Sequence, residues 1–143
     1  MKITFFAFLI LLFSANDCSH QAQSQIDSVS YETFTRGSTT MYTVTPENIR
    51  IKSTGVNAGE NSKSISSEDW ALLMTSIEKI EVSDLNRLKA PSQSRASDAA
   101  LHAILSVRKN DTIYKTNSFD HGNAPAEVKP LVQAILRLAE NVE

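Results

Sequence analysis

Between residues 99 and 108 the chain changes character at every step. Ala99, Leu101, Ala103, Leu105 and Val107 fall on one side, against Ala100, His102, Ile104, Ser106 and Arg108 on the other. A period of two with one strongly apolar side belongs to a β-strand that buries one face. Asn110-Asp111 follows, and both residue types tolerate the positive φ angles of a tight hairpin turn, so Thr112 to Thr116 is expected to return as the antiparallel partner. A sheet built this way has an apolar face that something else must cover.

Two segments carry the stripe that could cover it. Trp70, Leu73, Met74, Ile77 and Ile80 recur at helical spacing. Ahead of them Ser66 is placed to cap the first turn, with Asp69 answering back as in a capping box and Ile65 stapling onto Trp70. Val82, Leu85 and Leu88 add a short turn before Pro91. Val128, Leu131, Val132, Ile135, Leu136 and Leu138 form the second stripe, and Pro130 requires this helix to start near residues 126 to 129, where amides lack intrahelical partners. Trp70 and Met74 are assigned to the core.

Upstream, Val29, Tyr31, Thr33, Phe34 and Thr35 suggest a strand reaching Arg36, with a turn at Gly37-Ser38 and a second strand over 39 to 45. Ile49-Arg50-Ile51-Lys52 marks a third with one wet face. Thr54 to Lys63 holds two of the four glycines and almost nothing apolar, and is expected to be an exposed loop. The fold class is therefore α+β: an antiparallel sheet of four to five strands with two helices packed on one face, in the order ββ(β)αββα.

Lys2 followed by Ile3 to Phe13, apolar except for Thr4, has the pattern of a secretory signal sequence and is shorter than the ~20 residues of a membrane-spanning helix. The leader is expected over residues 1–22, with the cut between 17 and 24, residues 18–25 disordered, and 23–143 forming a single domain. Ala22 and Ser24 suit signal peptidase. Cys18 stands where bacterial lipoproteins place the cysteine that becomes acylated, but Asp17 departs from the small residue that precedes it there. Lipidation of Cys18 and cleavage beyond it both stay open. The destination is the periplasm, a lipid anchor in the outer membrane, or the exterior. No later segment is long and apolar enough to span a membrane. As Cys18 is the only cysteine, no intrachain disulfide supports the fold.

The chain carries a net charge of −2, unchanged if Lys2 and Asp17 are removed together, and has no basic cluster. That argues against nucleic acid and anionic membrane surfaces as partners. His20, His102 and His121 share no ligand spacing, so no metal is expected, and His102 reads as a half-buried sheet residue. A Gly-x-Ser-x-Gly elbow and a glycine-rich phosphate loop are both missing, and no cofactor is expected.

The polar segment with most chemistry is Phe119-Asp120-His121-Gly122-Asn123-Ala124-Pro125. Placed before a helix, it suits an anion or a carboxylate. Its structural alternative has Asp120 or Asn123 accepting bonds from nearby amides, Gly122 in a left-handed conformation, and His121 packed over the turn. Arg36 and Arg95, each beside a turn, either face a ligand or pair with Asp98 or Asp120 in surface salt bridges.

Tyr31 with Thr35-Arg36-Gly37, Leu88-Lys89-Ala90-Pro91 with Arg95 and Asp98, and Ser118 to Pro125 resemble a group of small exported or lipid-anchored domains of unknown function from Gram-negative bacteria. The resemblance covers nearly all of the chain after the leader. It implies the same succession of strands, helix, hairpin and helix, implies no activity, and points to Arg36, Arg95, Asp98, Asp120, His121 and Asn123 as the polar positions of interest.

Three functional readings follow. The first is a non-catalytic accessory domain binding a protein, peptide or small-molecule ligand through its open sheet face or its turns. The second is a small envelope hydrolase or lyase with His121 as base, Asp120 orienting it, and Arg36 or Arg95 holding an anionic substrate. The third is an inhibitor of an envelope enzyme acting through the 54–63 segment.

Overall fold

A computed structural model of the chain describes residues 25–96, 100–140 and 142. The leader, Cys18 and Asp98 lie outside the described residues.

Three strands open the domain as a meander: β1 (Ile26–Thr35), β2 (Ser38–Val44) and β3 (Asn48–Thr54). In β1, Val29, Tyr31 and Thr33 are buried while their neighbours are less so, which is the alternation of a one-faced strand. Between β2 and β3 the Thr45 hydroxyl accepts the amides of Glu47 and Asn48 at 3.4 and 3.2 Å, closing the turn.

The 54–63 segment is not a loop. It makes a single 3-10 turn at Gly55–Asn57 and then forms β4 (Gly59–Ser64), paired with β3 from Asn48↔Ser64 to Ser53↔Gly59. All six β4 residues are exposed, so main-chain pairing, joined by the exposed Arg50–Glu60 ion pair, holds the strand and no apolar alternation marks it in the sequence. Gly55 has a φ of +85°, and a Cβ there would lie 2.3 Å from the carbonyl oxygen of Gly37. The β1–β2 and β3–β4 turns can therefore meet only if this residue lacks a side chain.

Helix α1 (Ser67–Ile77) begins at the expected capping box: Ser66 Oγ accepts the Asp69 amide at 3.1 Å, and Asp69 Oδ2 accepts the Ser66 amide at 3.4 Å. A 3-10 segment, Val82–Arg87, buries Val82 and Leu85. The chain then crosses to the other side of β1 as β5 (His102–Lys109), turns through Asn110 (φ 47°) and Asp111 (φ 64°), and returns as β6 (Thr112–Lys115). A two-residue strand, β7 (Phe119–Asp120), also pairs with β5. Helix α2 (Lys129–Ala139) closes the domain, with Pro130 in its first turn as its missing amide requires.

The sheet order is β4-β3-β2-β1-β5-β6, with β7 beside β5, and every pairing is antiparallel. Among the described residues seven strands replace the four to five expected; β4 and β7 are the ones that local pattern does not reveal. Both helices sit on one face, because Leu73 and Ile77 of α1 and Leu131, Val132 and Ile135 of α2 share one core with Val29, Tyr31, Val44, Ile49, Ala103, Leu105 and Val107 of the sheet. Burying a side chain of this size stabilises by roughly 1.5–3 kcal/mol, so this cluster supplies the main cohesion of a fold with no cross-link.

The other sheet face is open, with Met41 38% and Ile113 45% exposed. His102 lies there half-buried, stacked on Phe34 with ring centroids 5.0 Å apart. At the start of β1, Gln25 exchanges two hydrogen bonds with Asn110, tying the entry of the domain to the β5–β6 turn. Among the described residues no helix is long and apolar enough to cross a membrane.

Candidate functional site

The segment from Phe119 to Pro125 divides its polar groups between two structures. Phe119 is fully buried and anchors the first of these residues in the core. Asp120, next to it, points the other way, and its side chain keeps only 8% of its exposure. A carboxylate so enclosed needs donors. It receives the Ser92 hydroxyl, the amides of Ser94 and Arg95 at 2.8 Å each, and the Arg95 guanidinium at 3.3 Å. Arg95 Nη1 also donates to the Ser92 carbonyl at 2.6 Å, and Asn123 Nδ2 donates to the Ser92 hydroxyl at 2.8 Å. These bonds favour the ionised form. The Ser92 hydroxyl foremost, with the two amides and the guanidinium, holds the Asp120 carboxyl at about 2, against the opposing effect of burial.

Arg95, Asp120 and Asn123 are thus brought together, through a serine that the sequence does not single out. None of these bonds reaches Arg36, which lies exposed in the β1–β2 turn. The cluster clamps the 92–96 connection to the sheet: Asp120 bonds the first amides of the Ser94–Ala96 turn, as an acidic cap does.

His121 serves a different neighbourhood. Its amide donates to the Leu101 carbonyl at 3.0 Å, and Gly122 beyond it takes the left-handed conformation (φ 84°) expected of it. The imidazole is exposed, with Nδ1 2.9 Å from the hydroxyl of Tyr31 and the two rings 6.0 Å apart. Tyr31 is fully buried and packs against Phe119 and Tyr42 at 6.2 and 6.1 Å. Burial pushes its phenol up to about 12; the Gly122 amide partly offsets this and Tyr42 adds to it. Burial likewise raises the Tyr42 phenol. Tyr31 therefore stays protonated in the neutral range, and its hydroxyl can donate to the imidazole. A phenol that donates its proton to Nδ1 pairs with the imidazole tautomer that carries its hydrogen on Nε2.

Tyr42 and His121 line an open cleft of about 530 Å3 between the core-facing side of the sheet and the last turn of α2. Ser53 and Asn57 border it from the sheet side, Leu136 and Glu140 from the helix. At its base the hydroxyls of Thr40 and Ser53 are 3.1 Å apart. Neither Arg36 nor Arg95 belongs to the lining, so no guanidinium faces the imidazole there. Among the described residues no group of three or more His, Cys, Asp or Glu side chains is placed to hold a metal ion.

Tyr31, Tyr42, Ser92 and Glu140 are the residues sequence reasoning missed. The two tyrosines become partners only through the β1–β2 register, which sets Tyr31 opposite Tyr42. No protein-family profile, curated protein or solved structure matches the chain.

Proposed function

We propose that the protein is an exported, non-catalytic binding domain whose ligand site is the Tyr42–His121 cleft. The observation that carries this reading is the imidazole held at Nδ1 by Tyr31, which leaves Nε2 as its remaining polar atom in a cleft also lined by Thr40 and Ser53. A preformed cleft of this size with a few oriented polar groups suits a small polar ligand. The leader, with Lys2 and the apolar run to Phe13, supports work outside the cytoplasm, with or without a lipid on Cys18.

The acid–base reading needs Asp120 to orient His121. Asp120 instead bonds Ser92, Ser94 and Arg95, and the hydroxyl of a buried phenol takes the place of the carboxylate. A phenol proton donor gives far less support to an imidazolium than a carboxylate does. The inhibitor reading relied on a free 54–63 loop, whose second half is paired as β4.

The test is an NMR titration of the purified protein with a fractionated small-metabolite extract. Binding that shifts the signals of Tyr42, Ser53 and His121 and is lost in His121→Ala supports the reading. Turnover of an added compound that disappears in the same variant, or shifts confined to other surfaces, overturns it.

A further inference from the structure

The open face of the sheet carries an arrangement set entirely by register and independent of the cleft. Ser28 lies opposite Arg108, and Ser30 opposite Ser106, which in turn lies opposite Lys115. Since side chains alternate along a strand, Ser28, Ser30 and Glu32 of β1 share this face with Ser106 and Arg108 of β5 and Lys115 of β6. The three serines are short and the three charged side chains around them are long. Register alone therefore leaves a depression of about 190 Å3 with hydroxyls on its floor.

Its two sides differ in charge, with Glu32 on one and Arg108 and Lys115 on the other. Two strand spacings across and two residues along separate the Cα atoms of Glu32 and Lys115 by about 12 Å. Among the described residues, none of these three charges forms an ion pair, whereas elsewhere on the surface Arg50 meets Glu60 at 3.4 Å and Arg87 meets Asp84 at 2.9 Å. Opposite charges are held apart over serine hydroxyls, one of which, Ser30, donates to Thr43 Oγ1 at 3.3 Å. Met41 and Ile113 form the apolar part of the lining, and the gap suits a ligand that carries both charges.

We propose that this depression binds a dipeptide-sized zwitterion, with its ammonium group at Glu32, its carboxylate at Arg108 and Lys115, and its middle over the serine hydroxyls. An extended dipeptide separates its charged ends by about 7 Å, less than the ~12 Å between the two Cα atoms, and side chains as long as Glu and Lys can close the difference. Exposed ion pairs are individually weak, so the ligand gains by meeting both sides at once, and hydrogen bonds to the serine hydroxyls with contact to Met41 and Ile113 make up the rest of a millimolar affinity. A simple anion meets the cations but faces the carboxylate as well.

The experiment titrates the full-length protein with alanyl-alanine, its N-acetylated form and its C-terminal amide, following the amide signals of Ser30 and Ser106 by NMR. The free dipeptide is expected to saturate in the millimolar range, with each blocked form about fivefold weaker, the factor one exposed ion pair supplies. Glu32→Gln should abolish the difference between the free dipeptide and its N-acetyl form without weakening the latter. Arg108→Gln should weaken both. Equal binding of the free and N-acetylated forms marks a plain anion site and overturns the proposal, as does the absence of saturable shifts in protein whose spectrum is otherwise folded.

Discussion

Replacing Tyr31 with Phe removes one oxygen from a fully buried ring and leaves its contacts with Phe119 and Tyr42 in place. The lost bond is the 2.9 Å contact to His121 Nδ1, and because the imidazole is exposed, water can take over that nitrogen. The cost in the neutral range is therefore that of one ordinary hydrogen bond, about 0.5–1.5 kcal/mol, well below the 3–5 kcal/mol of removing a buried aromatic ring. At high pH the sign reverses. The folded-state phenol is raised to about 12 from 10, so its contribution to stability is complete below pH 10 and is lost as pH rises through 12. A difference of that size corresponds to at most about 3 kcal/mol, and Tyr31→Phe should lack this alkaline loss. Denaturant unfolding at neutral pH and across the alkaline range measures both effects. Nitrogen-15 shifts of the His121 ring report the tautomer directly: hydrogen on Nε2 in the natural protein, and a relaxed mixture in the variant. Hydrogen on Nδ1 in the natural protein, or an alkaline transition that Tyr31→Phe leaves untouched, would refute the reasoning.

Acid should act through Asp120. Its folded-state value of about 2 lies below the ordinary 3.8, so its contribution is present above pH 4 and lost as pH falls toward 2; unfolding curves of Asp120→Asn should show a correspondingly flatter acid limb. Gly55→Ala forces a Cβ against the Gly37 carbonyl at a positive φ and should lower the thermal midpoint by calorimetry, with a cost above 1 kcal/mol. Ser66→Ala removes the hydroxyl of the α1 capping box and should cost about 1 kcal/mol in urea unfolding, with Ser66→Thr recovering most of it.

Local chemistry made much of this fold legible. The positive-φ pair Asn110-Asp111, the Ser66–Asp69 box and the constraint of Pro130 each concern neighbours in sequence and are found where expected. The alternation of β5 holds from His102 onward, while Leu101, expected on its buried face, is 42% exposed ahead of the strand. β4 stayed hidden because a fully exposed strand at a sheet edge needs main-chain partners but no apolar side chains. The site divided in the same way. Gly122 and the Arg95–Asp120 pair were among the arrangements the residue types allowed. By contrast, the Ser92–Asp120 bond spans 28 positions and the Tyr31–His121 bond 90, and nothing local distinguishes those residues from any other serine or tyrosine.

The two hydrogen bonds between Gln25 and Asn110 fix where the polypeptide enters the domain, and with it a direction. From Ile26, β1 runs five to seven residues before it reaches Tyr31 and Thr33, beside which the Tyr42–His121 cleft opens, a distance of about 20 Å along the strand. Pairing on both sides makes that strand a stiff central beam. The bonds to the β5–β6 turn hold one end of this beam, and the cleft lies toward its other end.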